Sequence, residues 1–284
     1  MFLSKDWTSY RILDAGNGEK LERWGDVVLL RPDPQAVWPM KSAKRPHAHY
    51  IRSDKGGGHW EHDAALPESW TIGYKDLTFL VRPTGFKHTG LFPEQAVNWD
   101  WMRERLIKKP GARVLNLFAY TGGATCACLK AGAEVVHVDA AKSINAWAKE
   151  NAALCALENA PVRFLADDAM KFVQREKRRG NTYDGILMDP PSYGRGPGGE
   201  MWKIEKDLYP LVEAAAALLS GDPLFFLINS YTTGLAPSVL KNVLKAALAD
   251  RRAEVVCDEV GLPIEESGLI LPCGATGRAT FHHD

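Results

Sequence analysis

The stretch RVLNLFAYTGGATCACLKAGAEVVHVD, residues 113–139, decides the fold. Its apolar opening passes into a turn at 120–123, then a run of small residues, then a second apolar run that stops at Asp139. This order predicts a strand, a glycine turn, a helix and a second strand with an acid at its tip. The glycines let backbone N–H groups approach a ligand, and a helix start offers unpaired donors. An acid at the second strand's tip can accept ribose hydroxyls, so the stretch is typical of a nucleoside-binding unit.

Such a unit serves either a dinucleotide or S-adenosylmethionine, and the glycine spacing distinguishes them. A dinucleotide site requires G-x-G-x-x-G. The turn here reads Tyr-Thr-Gly-Gly-Ala-Thr, so the pyrophosphate fingerprint is missing. This argues against a nicotinamide dehydrogenase. A glycine turn that merely links strand and helix is the alternative that the stretch alone leaves open.

A second motif downstream favours the S-adenosylmethionine interpretation. An apolar strand ends in DPPSY at residues 189–193, where a rigid corner is followed by an aromatic residue. Together with NLFAYTGGAT at 116–125, VDAA at 138–141, ADDA at 166–169 and FKHTGLFPEQ at 86–95, it gives five motifs in order. With these motifs the chain resembles the class I S-adenosylmethionine-dependent methyltransferases, and within them the bacterial large-subunit (23S) ribosomal RNA methyltransferase family.

The alternation of predicted elements supports the fold that this resemblance implies. Helical and strand patterns alternate from residue 113 to residue 249, among them a helix at 169–179 and a strand at 185–188, and short strands are predicted near 253–260 and 269–271. This alternation indicates an α/β protein with a parallel, doubly wound sheet and helices on both faces. The resemblance implies a mostly parallel, seven-stranded, Rossmann-like methyltransferase sheet closed by an antiparallel hairpin. In such sheets ligands bind at the carboxyl ends of the strands, where the acids of this chain are expected.

The resemblance also implies roles for individual residues. Asp139 would bind the ribose hydroxyls, and Asp168 with Ala169 the adenine edge. The remaining expected cofactor contacts, including the methionine end, are Phe92, Gln95, Asn116, Phe118, Tyr120, Thr121, Gly122 and Ala140. Asn116 stands nearest to the position where many members carry an acid, and an amide replaces a carboxylate only partly against an ammonium group.

The expected catalytic corner is Asp189-Pro190-Pro191 with Tyr193. Proline fixes the backbone, and the free carbonyls and the Asp189 carboxylate are acceptors suited to a nitrogen nucleophile. Tyr193 is expected to stack on a planar substrate. A related branch methylates carbon 5 of cytosine with a cysteine nucleophile. The matching segment here reads Asn229-Ser230-Tyr231, so we expect a nitrogen or oxygen acceptor instead.

Residues 1–75 differ in composition from residues 76–284. We predict that residues 76–284 form the methyltransferase domain. The first part carries five tryptophans and several turn signals, and we predict a small β-rich extension whose tryptophans pack on the main domain.

After the DPP corner, a glycine-rich loop at 193–199 is predicted to cover the substrate. Four histidines between residues 47 and 62 have no spacing typical of metal ligands, so no metal site is predicted.

Composition restricts the cellular setting and the partners. The 284 residues carry no apolar stretch long enough to span a bilayer and no export signal, so we expect a cytoplasmic protein. Five scattered cysteines indicate reduced thiols. The net charge is +0, and only two local basic segments suit RNA phosphates: Lys41, Lys44, Arg45, Arg52, Lys55 and Arg175, Lys177, Arg178, Arg179.

An RNA acceptor, ribosomal RNA first, is therefore the leading hypothesis. Neutral charge and the lack of a recognisable RNA-binding domain leave open a methyltransferase for a small molecule or a protein side chain. A non-catalytic cofactor-binding module is the third alternative, although a pure binder need not keep the DPP corner. The oligomeric state stays open.

Overall fold

The computed structural model describes residues 1–53, 57–196 and 198–281, so Lys55 and Pro197 lie outside the described residues. The chain divides into two compact units. The first unit comprises Met1–Val97 with Val260–Cys273. The second comprises Asn98–Glu259 with the segment that begins at Gly274.

Strands dominate the first unit. They are β1 (Phe2–Leu3), β2 (Tyr10–Gly16), β3 (Glu19–Trp24), β4 (Val27–Pro32), β5 (Ala48–Arg52), β6 (Gly58–His62), β7 (Trp70–Tyr74) and β8 (Leu77–Val81). β2 to β6 form a five-stranded sheet in chain order, and β7 pairs with β8. A short 3-10 turn, Pro93–Gln95, follows. The predicted β-rich N-terminal region is confirmed.

Aromatic side chains build the interior of this unit. The Trp7 ring packs edge-on against Tyr10 at a centroid distance of 5.8 Å, and Tyr10 packs against Trp24 at 4.6 Å. Trp24 is fully buried, and its carbonyl accepts the Trp70 indole N–H at 2.9 Å. These tryptophans therefore pack on partners within their own unit, which is what their large apolar area requires.

The second unit alternates strands and helices. Its elements are α1 (Ala96–Leu106, shared with the first unit), β9 (Arg113–Leu117), α2 (Gly123–Lys130), β10 (Glu134–Asp139), α3 (Lys142–Leu154), β11 (Val162–Ala166), α4 (Ala169–Arg179), β12 (Gly185–Met188), β13 (Tyr193–Arg195), β14 (Met201–Lys203), α5 (Ile204–Ala216), β15 (Phe225–Ser230), α6 (Pro237–Ala247), and β16 (Ala253–Pro263) and β17 (Ile270–Phe281), which are also shared with the first unit.

The main sheet has eight strands in the order β1-β16-β17-β15-β12-β9-β10-β11. The pairs β9–β10, β10–β11, β9–β12 and β12–β15 are parallel, and β15–β17 is antiparallel. The predicted mostly parallel α/β sheet is thus confirmed. The strand count exceeds the predicted seven because the two-residue β1 pairs with Val260 and Gly261.

Alternate residues of the central strands fill one apolar core. Leu115 and Leu117 of β9 and Ile186 and Met188 of β12 point to the same core as the buried side chains of α4, α5 and α6. Because successive side chains of a strand face opposite sides, the remaining strand residues are directed to the other face. Burial on both faces explains why these strands read as continuous apolar runs.

Glycine is required at two positions at the start of α2, for two different reasons: backbone conformation at Gly122 and close packing at Gly123. Gly122 has φ +85°, a left-handed conformation in which a side chain is strained. A Cβ placed on Gly123 would lie 2.6 Å from Cζ2 of Trp99. Residue 123 or Trp99 would have to move to accommodate a side chain. Glycine is therefore the residue that fits the first position of α2 without such a shift.

We therefore expect Gly123→Ala to destabilise the protein. The overlap with the Trp99 ring should lower the free energy of unfolding by about 1–3 kcal/mol, more than the higher helix propensity of alanine returns. The measurement is denaturant unfolding followed by circular dichroism.

Gly221→Ala is the matched control, because a Cβ there meets no atom within 4 Å and its φ is not in the left-handed region. Its unfolding midpoint should stay close to that of the wild type. Equal midpoints for both variants would contradict the packing argument.

Candidate functional site

The carboxyl ends of the central strands are joined by backbone hydrogen bonds. The Ala119 N–H donates to the Val138 carbonyl at 3.1 Å, and the Asp189 N–H donates to the Leu117 carbonyl at 3.3 Å. The ends of β9, β10 and β12 therefore lie side by side. The sequence motifs that follow these strands consequently meet at one edge of the sheet, as the parallel topology requires.

The turn after β9 has an unusual backbone. Phe118 and Tyr120 have φ values of 54° and 50°, and Gly122 follows with 85°. Left-handed conformations are costly for residues with a Cβ, so the surrounding structure must hold them. One such constraint is a hydrogen bond from the Tyr120 N–H to Oδ2 of Asp139 at 3.0 Å.

Asp139 uses both carboxylate oxygens in this way. Oδ2 accepts from Tyr120, and Oδ1 accepts the Ala141 N–H at 3.0 Å. Burial raises the pKa of Asp139, while these two hydrogen bonds act in the opposite direction. Each carboxylate oxygen has more than one lone pair, so acceptor capacity remains toward a ligand. Ala140, between these partners, is exposed.

The end of β11 presents two further acids. The Asp167 N–H donates to the Asp139 carbonyl at 3.1 Å, which places this tip beside that of β10. Asp168 caps helix α4, because its Oδ1 accepts the Lys171 N–H at 2.8 Å. Ala169 begins the helix and is buried. Asp167 forms an ion pair with Arg175, one of the basic residues considered for RNA.

Asn116 is buried within β9 and takes part in a polar chain. Its amide donates to Oγ1 of Thr125 at 2.9 Å, and that oxygen lies 2.9 Å from Nδ1 of His137. Burial lowers the pKa of His137 to about 3, so the ring is neutral. The side-chain NH2 group of Asn116 is used by Thr125. The side-chain oxygen is therefore the atom of Asn116 that could accept from the ammonium group of the cofactor's methionine end. Thr121 is also buried, and its carbonyl accepts from Asn151 at 2.8 Å.

The DPP corner opens to solvent. Asp189 is half-buried and Pro190 is buried, whereas Pro191 and Tyr193 are exposed. The Pro191 carbonyl is not free as expected, because it accepts the indole N–H of Trp202 at 2.6 Å. The expectation of free carbonyls at this corner is therefore wrong for Pro191.

Trp202 is a residue of this site that the sequence reasoning missed. Its ring also lies 5.3 Å from that of Phe118 between centroids, so one side chain touches both the turn after β9 and the DPP corner. In the sequence, Trp202 follows a glycine-rich segment. No periodic pattern around this tryptophan indicates which residues it contacts, so its role could not be predicted.

Tyr193–Arg195 form a strand of a β-hairpin, so the prediction of a loop at 193–199 is wrong for these three residues, whereas Gly196, Gly198 and Gly199 lie between the two strands. β13 pairs with β14 in antiparallel register, and the Gly196 N–H donates to the Glu200 carbonyl at 2.8 Å. The Glu200 carboxylate forms an ion pair with Lys171. A Cβ on Gly196 would lie 3.1 Å from Oδ2 of Asp168. The hairpin therefore lies against the start of α4.

Two predicted contacts belong to the first unit. Phe92 precedes the 3-10 turn and packs edge-on against His88 at a centroid distance of 5.5 Å, and Gln95 is buried at the end of the turn. Their roles as cofactor contacts remain predictions. The other predicted residues all lie in the second unit, on or directly beyond β9 to β12.

The cysteines are poorly suited to act as nucleophiles. Burial raises the pKa of Cys128 to about 12 and that of Cys257 to about 11. The segment that would carry a catalytic cysteine holds Asn229 instead, whose amide oxygen accepts from Asn98 at 3.1 Å. Only a thiolate is strongly nucleophilic, so these thiols are inert at neutral pH.

In the described ranges, the histidines, cysteines and acids form no group of three or more that could hold a metal ion. His49 instead contacts Glu19 at 2.6 Å, and Nδ1 of His47 accepts the Val28 N–H at 3.0 Å. Within the same ranges, no helix combines the length and apolar content that a bilayer crossing requires.

Comparison with known proteins agrees with this geometry. A family model described as "S-adenosylmethionine-dependent methyltransferase" matches residues 38–242. A methyltransferase from Agrobacterium tumefaciens, described as S-adenosylmethionine-dependent, superposes with a TM-score of 0.94 at 36% identity, covering 98% of this chain and 92% of that one.

Two relatives are named "Ribosomal RNA large subunit methyltransferase K/L". The Shewanella frigidimarina protein is 32% identical over 70% of this chain and 27% of its own length. The Pseudoalteromonas atlantica protein is 27% identical over 76% of this chain and 33% of its own length. The chain thus spans no more than a third of these relatives. With the family model matching well over half of its residues, the chain belongs to the S-adenosylmethionine-dependent methyltransferase family.

Proposed function

We propose that the protein transfers the methyl group of S-adenosylmethionine to a nitrogen or oxygen atom of RNA, with ribosomal RNA as the first candidate. The observation that carries the proposal is the exposed Tyr193, one residue removed from Asp189-Pro190-Pro191, at the sheet edge that also holds Asp139. An exposed aromatic ring beside a rigid acceptor corner suits a planar base. The two relatives named as ribosomal RNA methyltransferases support an RNA acceptor. A cytoplasmic location is part of this proposal, because ribosomal RNA is a cytoplasmic substrate.

The chemistry of the residues at the strand ends fits the cofactor. Asp139 has a half-buried carboxylate with unused lone pairs at the tip of β10, suited to two ribose hydroxyls. Gly122 brings no side chain to the start of α2, so the first N–H groups of that helix remain for an anionic ligand group. We assign Asp168 and Ala169 to the adenine edge, and Thr121 and Gly122 to the methionine end.

When bound, the cofactor would supply an electrophilic methyl group suited to in-line displacement by the acceptor. The protein's task is to align the acceptor and exclude water. Asp189 is placed to accept a hydrogen bond from the acceptor's N–H or O–H group and thereby orient its lone pair. Trp202 positions the Pro191 carbonyl by occupying one of its two lone pairs, and the second remains for the acceptor. Raised cysteine pKa values argue against a covalent route to cytosine carbon 5.

A small-molecule or protein acceptor is the second candidate. The net charge of +0 favours it, because RNA-binding proteins commonly carry excess positive charge. A non-catalytic cofactor-binding module fits less well, since a pure binder has no need for the DPP corner.

For Asp139, we expect Asp139→Asn to weaken binding of S-adenosylhomocysteine by about 1–3 kcal/mol, because the amide accepts fewer hydrogen bonds than the carboxylate. Wild-type affinity should also fall as the pH is lowered. Protonation turns one carboxylate oxygen into a donor and removes the charge that strengthens the hydrogen bonds of the other. Because burial raises the pKa of Asp139, this loss begins at a higher pH than for an ordinary aspartate. Calorimetry from neutral pH downward measures both effects.

The affinity of Asp139→Asn should lack this acidic step. Asp250→Asn, at an exposed acid of the second unit, serves as the control. Its affinity for S-adenosylhomocysteine should depend on pH as that of the wild type does. A pH-independent wild-type affinity, or an unchanged affinity of Asp139→Asn, would remove Asp139 from the ribose site.

For the acceptor, purified protein is incubated with methyl-tritiated S-adenosylmethionine and an extract of cells that lack the gene. We expect label in the RNA fraction that ribonuclease pretreatment abolishes. Asp189→Ala should lose transfer while it binds S-adenosylhomocysteine with near wild-type affinity, since the acid faces the acceptor. Label confined to protein or small molecules would overturn the RNA proposal and leave the family assignment intact.

For the DPP corner, we expect Trp202→Phe to lower kcat with the RNA fraction as substrate. The decrease should correspond to an activation free energy higher by about 0.5–1.5 kcal/mol. Phenylalanine keeps a ring next to Phe118 but cannot donate to the Pro191 carbonyl. The KM for S-adenosylmethionine should change little. Trp101→Phe, at another half-buried tryptophan of the second unit, is the control; a kcat equal to this control would refute the positioning role of Trp202.

A further inference from the structure

The β13–β14 hairpin has two chemically different faces. Tyr193 pairs with Lys203, Gly194 with Trp202, and Arg195 with Met201. Because side chains alternate along a strand, Gly194 and Trp202 share one face, and the other four side chains share the opposite face. We call the second set, Tyr193, Arg195, Met201 and Lys203, the outer face.

Burial follows this alternation. All four residues of the outer face are exposed, whereas Gly194 and Trp202 are half-buried. Tyr193 and Met201 are 55% and 47% exposed, which is high for large apolar side chains. The inner face is held by the Trp202 contacts with Phe118 and with the Pro191 carbonyl. The outer face is therefore presented to solvent from an anchored support.

The two cations of the outer face have no acid of their own. The nearby Glu200 carboxylate pairs with Lys171, and the Asp207 carboxylate accepts the backbone N–H of Lys203 at 2.7 Å. In the part of the chain that the structure describes, neither Arg195 nor the Lys203 ammonium lies within ion-pair distance of a carboxylate. The outer face thus carries uncompensated positive charge beside an exposed aromatic ring.

We propose that the outer face is the docking surface for the single-stranded RNA that carries the acceptor nucleotide. Arg195 and Lys203 bind phosphates, and Tyr193 and Met201 contact a base. Positive charge interleaved with aromatic and apolar side chains is the combination that binds single-stranded nucleic acid. The face continues directly from Pro191 and Ser192, so RNA bound to it leads to the DPP corner. The inference rests on the proposed RNA acceptor.

The test compares two double charge reversals with the wild type. Arg195→Glu with Lys203→Glu changes the outer face, and Lys241→Glu with Lys245→Glu makes the same net change at exposed positions of α6. Affinity for a fluorescein-labelled, mixed-sequence single-stranded RNA is measured by anisotropy over a range of salt concentrations. Methylation of the RNA fraction gives kcat and KM, and calorimetry with S-adenosylhomocysteine reports whether the cofactor site is intact.

The outer-face variant should bind RNA about tenfold or more weakly, and its salt dependence should flatten by about 1.4 in log–log slope for two lost phosphate contacts. Its KM for RNA should rise while its kcat and cofactor affinity stay near wild type. RNA binding and KM equal to those of the α6 control would overturn the docking surface while the RNA acceptor stands. A wild-type protein that labels only protein or small molecules would overturn both.

Discussion

The Asp139 carboxylate holds the two halves of the nucleoside-binding unit together. It accepts one N–H from the turn after β9 and one from the residue before α3. Without the first of these bonds, Tyr120 would lose a contact that offsets its left-handed backbone. The same group that we assign to the ribose therefore also shapes the turn toward the methionine end. A structural and a binding role coincide in one side chain.

Local pattern predicted the elements whose burial is regular. Helix α4 and strand β12 were predicted with their observed bounds, because both combine clear periodicity with strong boundary residues: the Asp168 cap and the glycines at 180 and 185. Strand β17 was predicted as only three residues but spans Ile270–Phe281. Proline and glycines interrupt its apolar pattern, and its pairing with β15 is a distant contact that no local window contains.

The candidate site divides in the same way. Acids at strand tips were predictable because parallel topology gathers the carboxyl ends of strands at one edge. Hydrogen-bond partners were not, since Asn116 meets Thr125 and His137 only through the packing of α2 on β9 and β10. The hairpin also escaped, because glycine-rich sequence favours loops. The Gly196 N–H bonds to the Glu200 carbonyl and the Trp202 indole N–H to the Pro191 carbonyl, and neither contact can be read from a local residue pattern.

Trp202 explains how a short glycine-rich hairpin can be held in one position. An isolated two-stranded ribbon is marginally stable in water. Here the indole N–H on the Pro191 carbonyl and the ring contact with Phe118 hold one face of the ribbon against the DPP corner and the turn after β9. Because side chains alternate, fixing that face necessarily turns Tyr193 and Arg195 outward. The order of the proposed acceptor surface thus depends on an anchor that also touches the turn after β9, to which we assign the cofactor.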